Sequence, residues 1–556
     1  MTLTGDGAPK RKWEGEMCRR VCRIFFIFSF LLAGALGLGL TTRASADDLN
    51  VVPTGPLLPP ELAAIVPMLS GMPVLLAADS MGITQIMGKD VSTRSQQASK
   101  DGPKRLIDVA IANDPVKHEN EPSVTTSPKD KRKLVVGNHV FGTGVTGVRC
   151  EERHSRDGGA TWSAPFLVPQ LTATSQCSDP VLYYAPDASR VYYAYMDVKT
   201  IAFDIVVNYS NDDGATWLAT PVVALQSTGN PWVYDKPWIS VANDLDNFVY
   251  VTATRFDIGP QCHIAFTRST DGGVSYEPPQ ILESSVLPCV GGAGGRVVQG
   301  SRPAGGRGGN LLVAWYNSGS DGWLVGSFET HTRYSANFGA AGSFAPVAVA
   351  STDSFELPYY LGPGLCYHRW WGAMFPDVEI DPSQSAYIGY THDPVAGSAT
   401  PEDGDIRYAT SAGPPYTSWS TPVTVNDDGT PGHAQGYVAL DIQTDQTGQP
   451  AVVHAVWEDH RLSTGAGQCS GDPGGLNLYY DIFASRKPPG EGWKPNFIVN
   501  EQPSISDRIF IGDYIDLTTD NGSVFAVWTD RRDKASFLDL EDDVYGSRWI
   551  ATKGTP

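Results

Sequence analysis

Acidic and basic side chains recur at the openings of a series of short extended segments along this chain. Glu121, Asp179, Asp235 with Lys236, Arg302, Asp377, and Asp513 with Tyr514 each stand where a strand is expected to begin. Carboxylates and cations gathered around one concave mouth shift each other's ionisation and can grip a polar ligand. The plainer alternative is that groups repeated at equivalent places bond neighbouring elements and seal the space between them. Residues that break the repetition carry more functional weight. Lys236 and Arg302 stand where other units place acids, and His368-Arg369-Trp370-Trp371 occurs in one unit alone, just ahead of a strand. Two adjacent Trp could stack on a sugar ring, or equally form a buried plug. His392, His433 and His460 fall in loops of the same kind, but their spacing does not make a metal set.

Residues so far apart in sequence can meet only if a repeated architecture brings them to one place. Seven openings are legible, at Glu121, Asp179, Asp235, Arg302, Phe375, Gly436 and Gly512. Each is followed by a second run rich in Val, Tyr, Ala and Trp, as strands should be: 133–141, 190–196, 248–256, 311–316, 386–391, 451–457 and 523–529. A third strand and a fourth complete each unit. Four-stranded units repeated radially make a β-propeller, so the expected fold is all-β with seven blades. Merging two units would give six. The last unit stops after its third strand, 543–550, and the stretch 106–114 matches 422–427 in alternation and in its Asn-Asp ending. A strand from the N-terminus is therefore expected to close the ring, which removes a raw sheet edge. In such a ring the inner strands start at the channel mouth, and the loops between second and third strands surround it.

The third and fourth strands are joined by a recurring word. Ser155-Arg-Asp157-Gly-Gly159-Ala-Thr161-Trp162 returns as Ser210-Asn-Asp212-Asp-Gly214-Ala-Thr216-Trp217 and as Ser269-Thr-Asp271-Gly-Gly273-Val-Ser275-Tyr276. The recurrence is at roughly 55–60 residues, a repeat period. Ser and Asp bond nearby backbone N–H groups, Gly supplies positive φ, and the closing aromatic can anchor the turn to its own sheet. Weaker copies begin at Ser335, Ser411 and Ser485.

This word resembles the Asp-box, or bacterial neuraminidase repeat, found in sialidases and in many secreted propellers. The resemblance implies a propeller; it says little about chemistry, because Asp-boxes lie on the outer edge, away from the usual active face. A sialidase would need three arginines on a substrate carboxylate, a tyrosine nucleophile paired with a glutamate, and an aspartate acid/base. Gly512-Asp-Tyr514-Ile-Asp-Leu517 is similar to the tyrosine segment of that family. The resemblance then implies Tyr514 as nucleophile, with Glu121 or Asp179 managing protons and Arg302, Lys236, Asp235, Arg369 and Trp370 contacting substrate. The Arg-Ile-Pro motif of the first blade is absent, its place taken by Asn120-Glu121-Pro122-Ser123. Known sialidases also have six blades.

The remaining features set the compartment. The chain has 556 residues, 58 of them Gly and 41 Pro, with a net charge of −20. That acidity disfavours nucleic acid and anionic membrane as partners. Arg19, Arg20 and Arg23, the apolar run 24–40 and Ala44-Ser45-Ala46 read as a secretory signal over 1–46. Residues 47–103 read as a linker or mobile extension and 104–556 as the propeller. No stable membrane insertion is expected once the signal is cleaved. Cys150 and Cys177 stand at the same separation and the same repeat positions as Cys262 and Cys289, which suggests two equivalent disulfides in an oxidising compartment. Cys366 and Cys469 would follow by elimination, although other connectivities remain open. No cofactor is expected. The acidic loops 401–405 and 539–543 could hold structural Ca²⁺, or simply be solvated. The pattern Trp457-Glu-Asp459-His-Arg461, repeated as Trp528-Thr-Asp530-Arg-Arg532, reads as strand-end fastening rather than catalysis.

Three functions fit these features: a secreted, monomeric, sialidase-like protein that binds and hydrolyses a glycan at the channel mouth; a non-catalytic propeller that binds a glycan or protein; and a polysaccharide lyase in which Tyr or His abstracts a proton beside a uronate carboxylate.

Overall fold

In the computed structural model the described residues are 107–142, 144–200, 202–258, 261–285, 289, 296–319, 327–353, 371–392, 404–429, 433–443, 451–463, 479–505, 511–520, 522–532 and 542–550. They form seven antiparallel sheets, each in strand order from the axis outward. The inner strands of blades 1 to 7 are Lys117–Thr126, Gln176–Tyr184, Trp232–Val241, Val298–Gly305, Asp377–Ile380, Gln435–Gln443 and Asp516–Thr519. Blade 6 carries one extra short strand, Ser504–Ile505, on its third strand Tyr479–Lys487. The expected seven-bladed propeller is therefore the observed fold.

The N-terminal strand Asp108–Ala112 pairs antiparallel with Asp543–Ile550 and supplies the outer strand of blade 7. The clasp is pinned by charge. Arg532 Nη1 lies 2.5 Å from Asp108 Oδ2, and the Glu501 backbone N–H donates to the same oxygen at 2.7 Å. Arg532 is itself held by Asp530, which accepts from Trp528 Nε1 at 2.8 Å. Blade 6 repeats the device: Trp457 Nε1 donates to Asp459 Oδ2 at 2.7 Å, and Arg461 bonds Asp459 and Asp427.

The turns between third and fourth strands are built as their composition predicts. Ser155 Oγ accepts from Gly159 N–H at 2.9 Å, Asp157 Oδ1 from Thr161 N–H at 2.9 Å, and the same bonds recur at Ser210 and Asp212 and at Ser269 and Asp271. The closing aromatics differ from expectation in their reach. Trp217 packs on Tyr193 of its own blade, whereas Trp162 packs on Phe525 of blade 7, because the wedge between blades is the nearest apolar surface. Two disulfides, Cys150–Cys177 and Cys262–Cys289, tie a third strand to the start of the next blade. Cys366 and Cys469 lie outside the described residues, as do residues 1–106 and most of both acidic loops.

Side chains of one inner strand cap the backbone of the next. Ser123 Oγ accepts from Leu182 N–H at 3.0 Å, Asp377 Oδ2 from Leu440 N–H at 2.8 Å, Asp441 Oδ2 from Thr519 N–H at 2.5 Å and Asp516 Oδ2 from Val124 N–H at 2.9 Å. An inner strand has one unpaired edge, and these bonds satisfy it without a further strand.

Candidate functional site

Five inner strands carry the same irregularity. Pairing with the second strand slips between Asn120 and Ser123, Ser178 and Val181, Asp235 and Trp238, Gln299 and Arg302, and Gly436 and Ala439. The first bulged residue has positive φ: Glu121 52°, Asp179 51°, Lys236 52°, Tyr437 56° and Gly300 66°. A left-handed conformation costs a non-glycine residue about 1–2 kcal/mol. Here it turns the side chain toward the axis, where charged groups from separate blades can compensate. Only glycine fits in blade 4, since the Phe375 ring occupies the place of a side chain at Gly300.

Lys236 is the hub of the ring so formed. Its Nζ lies 2.6 Å from Asp513 Oδ2, 3.1 Å from Asp179 Oδ1 and 3.9 Å from Glu121 Oε1. Burial alone would lower the Lys236 pKa, but Asp179, Asp513 and Glu121 together raise it, so the ammonium stays charged. Glu121 is pushed well above the ordinary carboxylate range, first by burial and then by Asp179. Its Oε1 accepts from the Asp513 backbone N–H at 3.1 Å. His139 ties two of these residues together. Its Nε2 accepts from the Asp179 backbone N–H at 2.9 Å, leaving Nδ1 protonated to donate to Asn120 Oδ1 at 3.2 Å, with Glu121 Oε2 3.1 Å away. Burial drives the His139 pKa down to about 4, in keeping with a neutral ring.

Tyr514 lies beneath Lys236, whose Nζ is 5.4 Å from the ring centroid. The phenol donates to the Pro180 carbonyl at 3.0 Å, and the ring meets Trp238 edge-on at 5.8 Å. Burial raises the Tyr514 pKa well above 10, and Glu121 and Asp179 add to the shift. Arg302 stacks on Trp238 at 3.6 Å and pairs with Asp377 at 2.8 Å. Asp235 accepts from Gln299 Nε2 at 2.9 Å.

The fold thus brings Glu121, Asp179, Lys236, Asp513 and Tyr514 into one network, with Asp235 at its edge and Arg302 linked through Trp238. Arg369 and Trp370 lie outside the described residues. The ring itself is closed: Glu121, Asp179 and Asp235 are each 0% exposed and Lys236 is 6%. The short 3-10 turn Trp371–Met374, followed by Phe375, packs over it, and a side chain at Gly372 would collide with the Asp513 carbonyl. Ala373, Met374 and Phe375 are buried in this cover.

Sequence reasoning did not single out His139, Trp238, Tyr183, Glu379, Asp441 or Asp516. The last five stand on the inner strands of blades 3, 2, 5, 6 and 7 and are half-buried. Among the described residues, no group of three or more His, Cys, Asp or Glu could hold a metal ion, and no helix is long and apolar enough to cross a membrane.

No protein-family model and no curated protein matches the chain. Its structural neighbours include a protein of unknown function from Dyadobacter fermentans, at 11% identity over 81% of this chain and 100% of that one, TM-score 0.41. An α-L-arabinofuranosidase from Fusarium graminearum, solved with an iminosugar inhibitor, is 12% identical over 81% and 98%, TM-score 0.42. A phage phi92 endosialidase is 11% identical over 81% and 70%, TM-score 0.39. The activities named are those proteins' own.

Proposed function

We propose that this chain is an exported propeller that binds a glycan at its mouth face without hydrolysing it through Tyr514. The observation that carries this reading is the bond from the Tyr514 phenol to the Pro180 carbonyl, in a site that raises the phenol pKa. A tyrosine nucleophile needs an environment that eases loss of its proton. Here burial and three nearby carboxylates oppose that loss. The cations are spent as well, Lys236 on Asp179, Asp513 and Glu121, and Arg302 on Asp377. The sequence feature that supports a glycan as ligand is His368-Arg369-Trp370-Trp371, found in one unit alone, with Arg369 and Trp370 as the proposed contacts.

A second reading is sialidase-type hydrolysis. Tyr514 would attack, Glu121 or Asp179 would handle protons, and Lys236 and Arg302 would hold an anionic group. One observation favours it: Tyr514, Glu121, Asp179 and Lys236 do share one network. A glycan array run beside fluorogenic sialosides, neutral glycosides and uronate polymers separates the two. Array binding without product supports the first reading. Fluorophore release supports the second, and an unsaturated uronate product would point to a lyase.

A further inference from the structure

Blade 3 brings three strand ends to one edge of the mouth face. Asp257 closes the second strand Val249–Asp257, His263 is the second residue of the third strand Cys262–Ser269, and Ser284 closes the outer strand Gln280–Ser284. The strands are antiparallel, so these ends fall together. His263 and Ser284 are direct cross-strand partners, close enough for their side chains to touch.

The three side chains form one line. The Ser284 hydroxyl lies 2.7 Å from His263 Nδ1, and His263 Nε2 lies 3.1 Å from Asp257 Oδ2. An imidazole that gives its Nε2–H to a carboxylate keeps a lone pair on Nδ1, so the serine hydroxyl donates to the ring. Asp257 is fixed in turn by Arg255. Its Oδ1 lies 2.8 Å from Arg255 Nε, and its Oδ2 accepts from Nη2 at 3.0 Å. The Arg255 guanidinium is stacked on the Trp232 ring at 4.5 Å.

Exposure follows the same order. His263 is 6% exposed, Asp257 is half-buried and Ser284 is open to solvent. Burial lowers the His263 pKa, Arg255 adds to the effect, and Asp257 offsets only part of it, so the ring is neutral at neutral pH. The neighbouring carboxylate of Glu283 is turned away, to His331 of blade 4 at 2.9 Å. The backbone beside Ser284 is held firmly. Ser285 N–H donates to the Cys262 carbonyl at 2.7 Å, Cys262 N–H to Ser285 Oγ at 3.0 Å and Gln261 Nε2 to the Ser285 carbonyl at 3.0 Å. An accessible hydroxyl, a neutral base and a carboxylate that orients the base, each within hydrogen-bond reach of the next, are what activates an oxygen nucleophile.

We infer that Ser284, His263 and Asp257 form an acyl-transfer site that cleaves a carboxylic ester at the rim of blade 3. Ser284 Oγ bonds to the ester carbonyl carbon as its proton passes to His263 Nδ1. The bond from that carbon to the alcohol oxygen then breaks, and the imidazolium returns the proton to the departing oxygen. Water reverses the sequence: its oxygen bonds to the acyl carbon, one proton passes through Nδ1 to Ser284 Oγ, and the carboxylic acid leaves. Asp257 is a positioning residue that acts through His263. An ester suits the site better than an amide, because an alkoxide leaves more readily than an amine. The site is independent of the glycan reading. The ester could be a small free one or an O-acyl group on a glycan, and the experiment distinguishes them.

Hydrolysis by the purified protein would be followed on p-nitrophenyl acetate and on an O-acetylated xylan oligosaccharide, and a fluorophosphonate probe with peptide mapping would locate the nucleophile. The label is expected on Ser284, with turnover of at least one ester, and the ester that is turned over identifies the source. Ser284→Ala, a change at an exposed side chain, should abolish the label and lower turnover about 100-fold or more, the least that a positioned base contributes. Asp257→Asn should lower kcat with KM unchanged. It should also move the rising limb of the pH profile to lower pH, since Asp257 raises the His263 pKa. Hydrolysis of neither ester, a label on another residue, or turnover unchanged in Ser284→Ala would overturn the assignment.

Discussion

Lys236 of blade 3 and Asp513, on the approach to blade 7, meet across the pore at 2.6 Å. They are far apart in sequence and in the ring, so their contact braces blades that share no strand pairing. Asp179 and Glu121 complete the brace from blades 2 and 1.

Removing the cation from that brace should be costly. Lys236→Met leaves the Asp179 and Asp513 carboxylates buried without a counter-ion, and breaking such a buried pair costs about 3–5 kcal/mol. Urea unfolding of the variant is expected to show an unfolding free energy lowered by that amount at neutral pH, with the midpoint falling accordingly. An unchanged midpoint would mean that the ring is held elsewhere.

Acidic pH should stabilise the protein. Burial raises the pKa of Asp441 and Asp516 to about 7 and of Glu458 to about 8 in the folded state. A carboxyl group raised on folding binds its proton more tightly in the native state than in the unfolded one. Its contribution is complete below the unfolded pKa and is lost as pH rises through the folded value. The melting temperature is therefore expected to fall between about pH 4 and pH 8. Asp441→Asn should flatten that slope, as scanning calorimetry across the range would show.

The terminal clasp should open first. Arg532→Ala removes the partner of Asp108, buried with it, and leaves Asp530 uncompensated. Hydrogen exchange should show 108–112 and 543–550 losing protection while blades 2 to 4 keep theirs. Uniform loss across all blades would instead show that the ring unfolds as one unit.

Reduction should weaken the ring on one side. Each disulfide closes a segment of 27 residues, a constraint worth about 3 kcal/mol. Both tie a third strand to the following blade, so a reducing agent is expected to lower the melting temperature. Cys150→Ala with Cys177→Ala should reproduce part of the effect.

The blades were legible because their signals are local. The Ser-x-Asp-x-Gly turns recur with the same bonds, and the second strands alternate in a way that fixes their limits within a residue or two. The closing strand was legible at 106–114 because an incomplete last unit needs a partner, and residues 108–112 supply it. The pore was legible only in part. Glu121, Asp179, Lys236 and Tyr514 stood out as charged or aromatic residues at strand openings. Nothing in the sequence marked the slip in pairing that turns them inward with positive φ, or His139 behind them. Glu379 and Asp441 look like ordinary polar members of alternating strands. Their place around the axis depends on the register of blades 5 and 6, which no local pattern encodes.

The most direct test of the ring as a brace rather than a catalytic centre is the behaviour of Tyr514→Phe. The variant loses only the bond to the Pro180 carbonyl, so it should be less stable by about 1 kcal/mol and bind the same glycans as the parent, with no turnover in either. Sialoside hydrolysis by the parent that disappears in Tyr514→Phe would contradict the account.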